Sequence, residues 1–200
     1  MVGTNLKQTM SFSLLSNGIK NLLRSTNLSS YSEDTEEKIM RMFEHVYNQK
    51  GAIEGISIIK SWGGKLSKIR IHVDTSNMNP DHTYNQWLKF MERLWSHFHM
   101  LDRIRSVDFF DLWININSSI WDSLHKQSSN QVGDLFHNWI ELQHSVHQLL
   151  AGSNDKYGED FITYYIDWVS NEMQLLQEMK YDITLWKNWI DKEMFMVRNI

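Results

Sequence analysis

The chain has 200 residues, of which 42% are apolar, 12% aromatic and 22% charged, with one Pro, no Cys and a formal net charge of −4. That size and apolar content suit one domain, or one domain with an arm, and exclude a disordered chain. Without Cys there is no disulfide scaffold, Cys nucleophile, iron–sulfur site or Cys-based zinc site.

No stretch of eighteen apolar residues is present, so no membrane-spanning helix is expected, and no signal-peptide pattern is seen. The expected setting is the cytoplasm or a host-cell interior, including a membrane-peripheral position. Only Ala52 and Ala151 represent the best helix-forming residue, against nine Trp and eleven Met. An AT-rich source such as a virus, an endosymbiont or an organelle genome accounts for that bias. Helices without Ala must then be stabilised by packing large side chains.

Charge is segregated along the chain. Residues 1–32 carry Lys7, Lys20 and Arg24 and no acid, whereas residues 33–49 carry five acids against two bases. Residues 50–73 carry Lys50, Lys60, Lys65, Lys68 and Arg70 against Glu54, and residues 74–200 carry ten bases against eighteen acids. Such asymmetry marks a binding face or pairing between segments.

In chain order, residues 1–32 read as an amphipathic arm, with Phe12, Leu14, Leu15, Ile19, Leu22 and Leu23 at helical spacing. It would dock on its own domain, on a partner groove or on an anionic membrane. From residue 33 a single α-rich domain is expected to run to residue 200. Its first helix, 33–49, has Ser32 as N-cap, acids in its first turn, a stripe of Ile39, Met42, Phe43 and Val46, and a stop at Lys50-Gly51.

Residues 53–73 predict a β-hairpin. Ile56, Ile58 and Ile59 are β-branched, and Trp62-Gly63-Gly64 signals a turn. Ile69, Ile71 and Val73 then alternate with Lys68, Arg70 and His72. Lys60, Lys65, Lys68, Arg70 and His72 would surround Trp62 near the tip. Cations with an exposed aromatic suit contact with nucleic acid or an anionic membrane surface. A basic strand also resists edge-to-edge pairing without any ligand.

Asn79-Pro80-Asp81 starts the next helix, with Tyr84, Trp87, Met91, Leu94, Trp95, Phe98 and Leu101 on one face through about residue 104. Residues 107–126 fit either period, and helix is preferred because the stripe continues past 117. Residues 131–151 form a clean helix ended by Gly152-Ser153-Asn154. Its His137, Glu141 and His144 contain the Glu-x-x-His spacing of di-metal bundles. The wheel turns that face away from the apolar stripe, so a solvated polar face is the stronger reading and a metal-dependent enzyme the weaker one. His97 and His99, two apart, point to different sides of their helix.

Residues 159–197 hold the most regular pattern: Ile162, Val169, Leu176, Ile183, Ile190 and Val197 recur every seven residues. Tyr165, Met179 and Trp186 fill the i+3 positions, but Glu172 and Glu193 break that second seam. The repeat serves self-association or the interior of a bundle, with the bundle preferred. Asp182 could cap a second helix after a break at 180–182.

The expected architecture is thus mainly α, a bundle of about five helices with the inserted hairpin and the N-terminal arm. No hydrolase, phosphate-loop or zincin motif is present. The expected function is a non-enzymatic interaction or assembly protein, such as a viral structural or accessory factor, with no cofactor, self-associating or binding a protein partner through its long C-terminal helix. Nucleic-acid or membrane binding by the hairpin, and metal catalysis by the His137 face, are the alternatives.

Overall fold

A computed structural model describes position 17 and residues 33–76, 79–127, 132–152 and 160–200. The expected arm over 1–32 lies outside the described residues, position 17 aside. Six helices and no strand occur among the described residues: α1 (Glu33–Ser76), α2 (Pro80–Leu101), α3 (Ser106–Gln127), α4 (Val132–Gly152), α5 (Phe161–Glu178) and α6 (Ile183–Arg198). The chain divides into two compact units, meeting between Ser67 and Lys68 within α1.

In the first unit α1 folds back on itself. Gly51 has φ 80° and ψ 179°, a conformation open essentially to glycine alone, and there the helix kinks. Four residues on, a Cβ at Gly55 would lie 2.9 Å from the Tyr47 Cα, so the two arms cross where a side chain would not fit. Phe43 and Trp62 then meet across the crossing, their ring centres 6.4 Å apart, and both are fully buried.

The expected β-hairpin over 53–73 is therefore corrected to helix. Ile59, Trp62, Leu66, Ile69 and Val73 are all buried, and their separations of three and four residues are a helical period. The alternation over 68–73 is shorter than this stripe and loses to it. Ile71, expected on the same face as Ile69 and Val73, is instead exposed. Gly63 and Gly64 lie inside the helix rather than in a turn, at a cost of about 1 kcal/mol each relative to Ala.

In the second unit, α4 packs along α6 and α3 along α5, with α2 against α3 and α4. Asn79 caps α2 by accepting the His82 amide N–H at 3.4 Å, and Pro80 opens the helix. The helix stops at Leu101, short of the expected 104. Asp102 there accepts from the Ile104 and Arg105 amides at 3.0 and 2.9 Å. The segment that fitted either period is helix α3.

The seven-residue repeat is split between two helices rather than borne by one. Lys180 and Tyr181 take left-handed conformations (φ 55° and 58°), and Asp182 caps α6 through the Leu185 N–H at 2.9 Å. Ile162, Val169 and Leu176 on α5 and Ile190 on α6 are buried, while Ile183 and Val197 are half-buried.

The core is aromatic. Trp87 stacks on Trp113 at 4.9 Å, and Trp139 lies between Trp168 and Trp186 at 5.6 and 5.2 Å. A buried amide pair accepts the indole protons of Trp113 and Trp139. Asn117 Oδ1 accepts from Trp139 Nε1 at 2.9 Å and from Gln143 Nε2 at 3.1 Å. Gln143 Oε1 accepts from Trp113 Nε1 at 3.0 Å, and Asn117 Nδ2 donates to the Trp113 carbonyl at 3.0 Å. Replacing Asn117 by Ala leaves the Trp139 and Gln143 donors without an acceptor in a dry interior. The expected loss, on the order of 3 kcal/mol in urea unfolding, should far exceed that of the exposed control Ser119→Ala.

Candidate functional site

Four groups of residues are of interest: the basic stretch of α1, the histidine face between α2 and α4, the acid pair of α5 and α6, and the outer surface of α6.

In the basic stretch, Lys60 is exposed, Lys65 donates to Ser61, and Trp62 is wholly buried rather than displayed beside the cations. In the second unit the end of α1 is paired with acids. Arg70 is buried and bridges Asp74 at 2.9 Å and Asp81 at 2.6 Å, with Tyr84 beneath its guanidinium at 5.1 Å. His72 Nε2 sits 2.8 Å from Asp122, and Lys68, exposed, reaches the same carboxylate at 3.4 Å. Burial would raise the Asp122 carboxyl, but these two neighbours hold it below its ordinary range. Arg70 and His72 thus lie against carboxylates, and Trp62 offers no exposed ring for stacking.

On the histidine face, His137 Nδ1 lies 3.1 Å from Gln86 Oε1, and His144 Nε2 lies 3.2 Å from Arg93 Nη1. Glu141 stands between these histidines along α4. It lines a cleft of about 220 Å³ with Gln86, Lys89, Phe90, Arg93 and His144. Among the described residues, no three His, Asp or Glu side chains converge on one metal position.

Spacing had not indicated a second pair, joined across α2 and α4. His97 Nδ1 and His147 Nε2 are 2.9 Å apart, with Phe161 of α5 at 4.4 Å from the His97 ring. One imidazole donates and the other accepts, so the pair suits neutral rings. Burial, then the neighbouring His97, His144 and Arg93, pull His147 down to about 4. Burial also lowers His97.

The two acids that break the second seam meet each other. Glu172 of α5 is only 3% exposed, and both its oxygens accept from Trp189 Nε1 at 3.1 and 3.2 Å. Glu193 of α6 lies beside it, its Oε2 buried and without a hydrogen-bond partner. Neither carboxyl makes an ion pair with a base among the described residues. Burial, then the charge of Glu193, lift Glu172 to about 8, and burial lifts Glu193 too.

The outer surface of α6 gathers several exposed apolar side chains. Leu185, Phe195, Met196 and, just beyond the helix, Ile200 are all at least half exposed. A cleft of about 450 Å³ runs beside them, lined from α4 by His137, Asn138 and Glu141 and from α6 by Asp191, Met194, Phe195, Arg198 and Asn199. Of the six residues of the seven-residue repeat, Ile162, Val169 and Leu176 on α5 and Ile190 on α6 are buried within the fold, and Ile183 and Val197 are half-buried. No helix among the described residues is long and apolar enough to cross a membrane. No protein-family model matches the chain, and neither the curated proteins nor the solved structures yield a match.

The acid pair sets a pH dependence. Glu172 binds its proton more tightly when folded than the ordinary carboxyl of the unfolded chain, so its contribution to folding stability falls as pH rises from about 4.5 to about 8. Glu172→Gln retains an acceptor for Trp189 and can donate to Glu193. Its melting temperature should match the parent near pH 4.5 and exceed it by about 5 °C at pH 8. A constant offset across that range would contradict this account.

Proposed function

We propose that this is a non-enzymatic interaction or assembly protein that engages a protein partner through the outer surface of α6. The observation that carries this reading is the set of large apolar side chains on one helix end: Phe195 at 70% exposure, Met196 at 50% and Ile200 at 88%. Single exposed apolar residues are ordinary, but a group beside a cleft rimmed by charges has the composition of a binding surface. The inward face of α6 is already committed, with Trp186 and Ile190 fully buried, so the helix is held rigid while its outer end stays open. Preorganisation of that kind reduces the entropy lost on binding.

The basic stretch supports a weaker reading as a nucleic-acid or membrane contact, since Arg70 and His72 would have to leave their carboxylates. On the α4 histidine face, no three His, Asp or Glu side chains converge on one metal position among the described residues.

A photo-crosslinking phenylalanine analogue at position 195, in cells producing the protein, should give protein adducts several-fold above the same analogue at the exposed α5 position Asn171. The count includes adducts to the chain itself. Equal yields at the two positions would remove α6 as the interaction surface. Both positions are exposed, so neither substitution should disturb folding.

A further inference from the structure

We infer that the partner of the α6 surface is a second copy of this chain, with the two α6 helices antiparallel and Asp191 of each facing Arg198 of the other. This rests on the reading of α6 as the interaction element and names its occupant.

The argument begins with spacing. Asp191, Met194, Phe195 and Arg198 stand at i, i+3, i+4 and i+7, which places them on one face of the helix, and all four line the same cleft. The acid and the base are separated by about 10.5 Å along the axis, with the two apolar residues between them. This face is charge-complementary to itself under one operation: a two-fold axis passing between Met194 and Phe195. That operation sets Asp191 against Arg198 twice and brings the apolar centres together. An in-register parallel pairing would instead face acid with acid and base with base. Closed two-fold pairing is the commonest symmetry of protein self-association.

The groups are available for it. Arg198 makes no ion pair among the described residues. Among the described residues Asp191 pairs only with Lys187, at 2.9 Å, with both side chains about half exposed, and an exposed i,i+4 pair of this kind is worth a few tenths of a kcal/mol. Phe195 projects into solvent. The 450 Å³ cleft is roomier than a phenylalanine side chain, and its wall includes His137 and Asn138 of α4. Glu141, which has no ion-pair partner among the described residues, adds a second negative group for the incoming Arg198.

One helix face is smaller than the roughly 800 Å² per partner of a standard stable interface. The dimer should therefore be reversible, with dissociation in the micromolar range. Its two rim ion pairs should make it weaker in high salt.

Sedimentation velocity of the purified full chain, over a rising concentration series, tests the pairing. The unaltered chain should pass from monomer to dimer. Asp191→Arg sets two positive residues against two, and Arg198→Asp sets acid against acid. Each alone should raise the dissociation constant by about tenfold or more. An equimolar mixture of the two variants restores both opposite-charge contacts and should dimerise again. Phe195→Asp should leave monomer. All these positions are exposed, and circular dichroism checks that each variant is folded.

A chain that stays monomeric at every concentration overturns this inference. The crosslink at position 195 then stands or falls separately, because adducts to a different protein would keep α6 as the surface while excluding self-pairing. A dimer indifferent to both charge reversals, or a mixture that fails to recover, overturns the antiparallel arrangement.

Discussion

The second unit depends on a pair of buried amides. A chain with two alanines and nine tryptophans fills its interior with indoles, and every buried indole brings an N–H that water no longer satisfies. Asn117 and Gln143 resolve part of that conflict. Between them they accept from Trp113 and Trp139, and Asn117 also accepts from Gln143, tying α3 to α4. Trp87, Trp121 and Trp186 bury their Nε1 atoms without a partner among the described residues, so the same aromatic packing carries a cost that the amides offset only where they reach. Because Asn117 also donates to the Trp113 carbonyl, the network fixes side-chain orientation as well as helix spacing. The rings of Trp139, Trp168 and Trp186 then pack α4 against α5 and α6.

Much of this was legible where local chemistry and hydrophobic period agreed. Asn79-Pro80 starts a helix whatever surrounds it, since cap, fixed φ and missing N–H all act within one turn. The stripes of α3 and α4 extend well beyond the length over which strand and helix periods can be confused. Residues 53–73 misled because three alternating apolar residues, two adjacent glycines and several β-branched side chains all imitate a hairpin. The longer interval from Ile59 to Val73 decides in favour of helix, and it becomes the dominant signal once Trp62 is counted as core rather than as display. The glycines divide likewise: Gly51, expected to stop the first helix, is where α1 kinks, whereas Gly63 and Gly64, expected in a turn, ride within the helix.

The candidate site was legible only in outline. Within one helix, spacing separated the polar face of α4 from its apolar stripe. It could not show that His147 meets His97, because that pair joins residues fifty apart through the packing of α2 on α4. Glu172 and Glu193 did stand out as interruptions of a seam, but two interruptions on different helices become a pair only when α5 and α6 fold against each other. Their effect on pH opposes that of the histidines. Burial of neutral His97 and His147 favours the fold as pH rises out of the acid range, whereas the acid pair penalises it as pH rises towards 8. The two together confine greatest stability to an intermediate pH.

The last helix combines both kinds of information. Trp186 and Ile190, one turn apart and fully buried, fix the rotation of α6 about its axis. Once that rotation is fixed, Asp191 and Phe195 have no freedom over which way they face: each follows a buried position by one or five residues and must emerge at the border of α4 or beyond it. The outward quartet is thus a geometric consequence of the inward repeat. A seven-residue period that reads as a coiled-coil seam is consumed inside the bundle, and the next residue along, at 191 and 198, repeats with the same period on the outside. The heptad therefore marks two faces of α6, an apolar one that the fold closes and, one residue further on, one that carries an exposed acid and an exposed base seven residues apart.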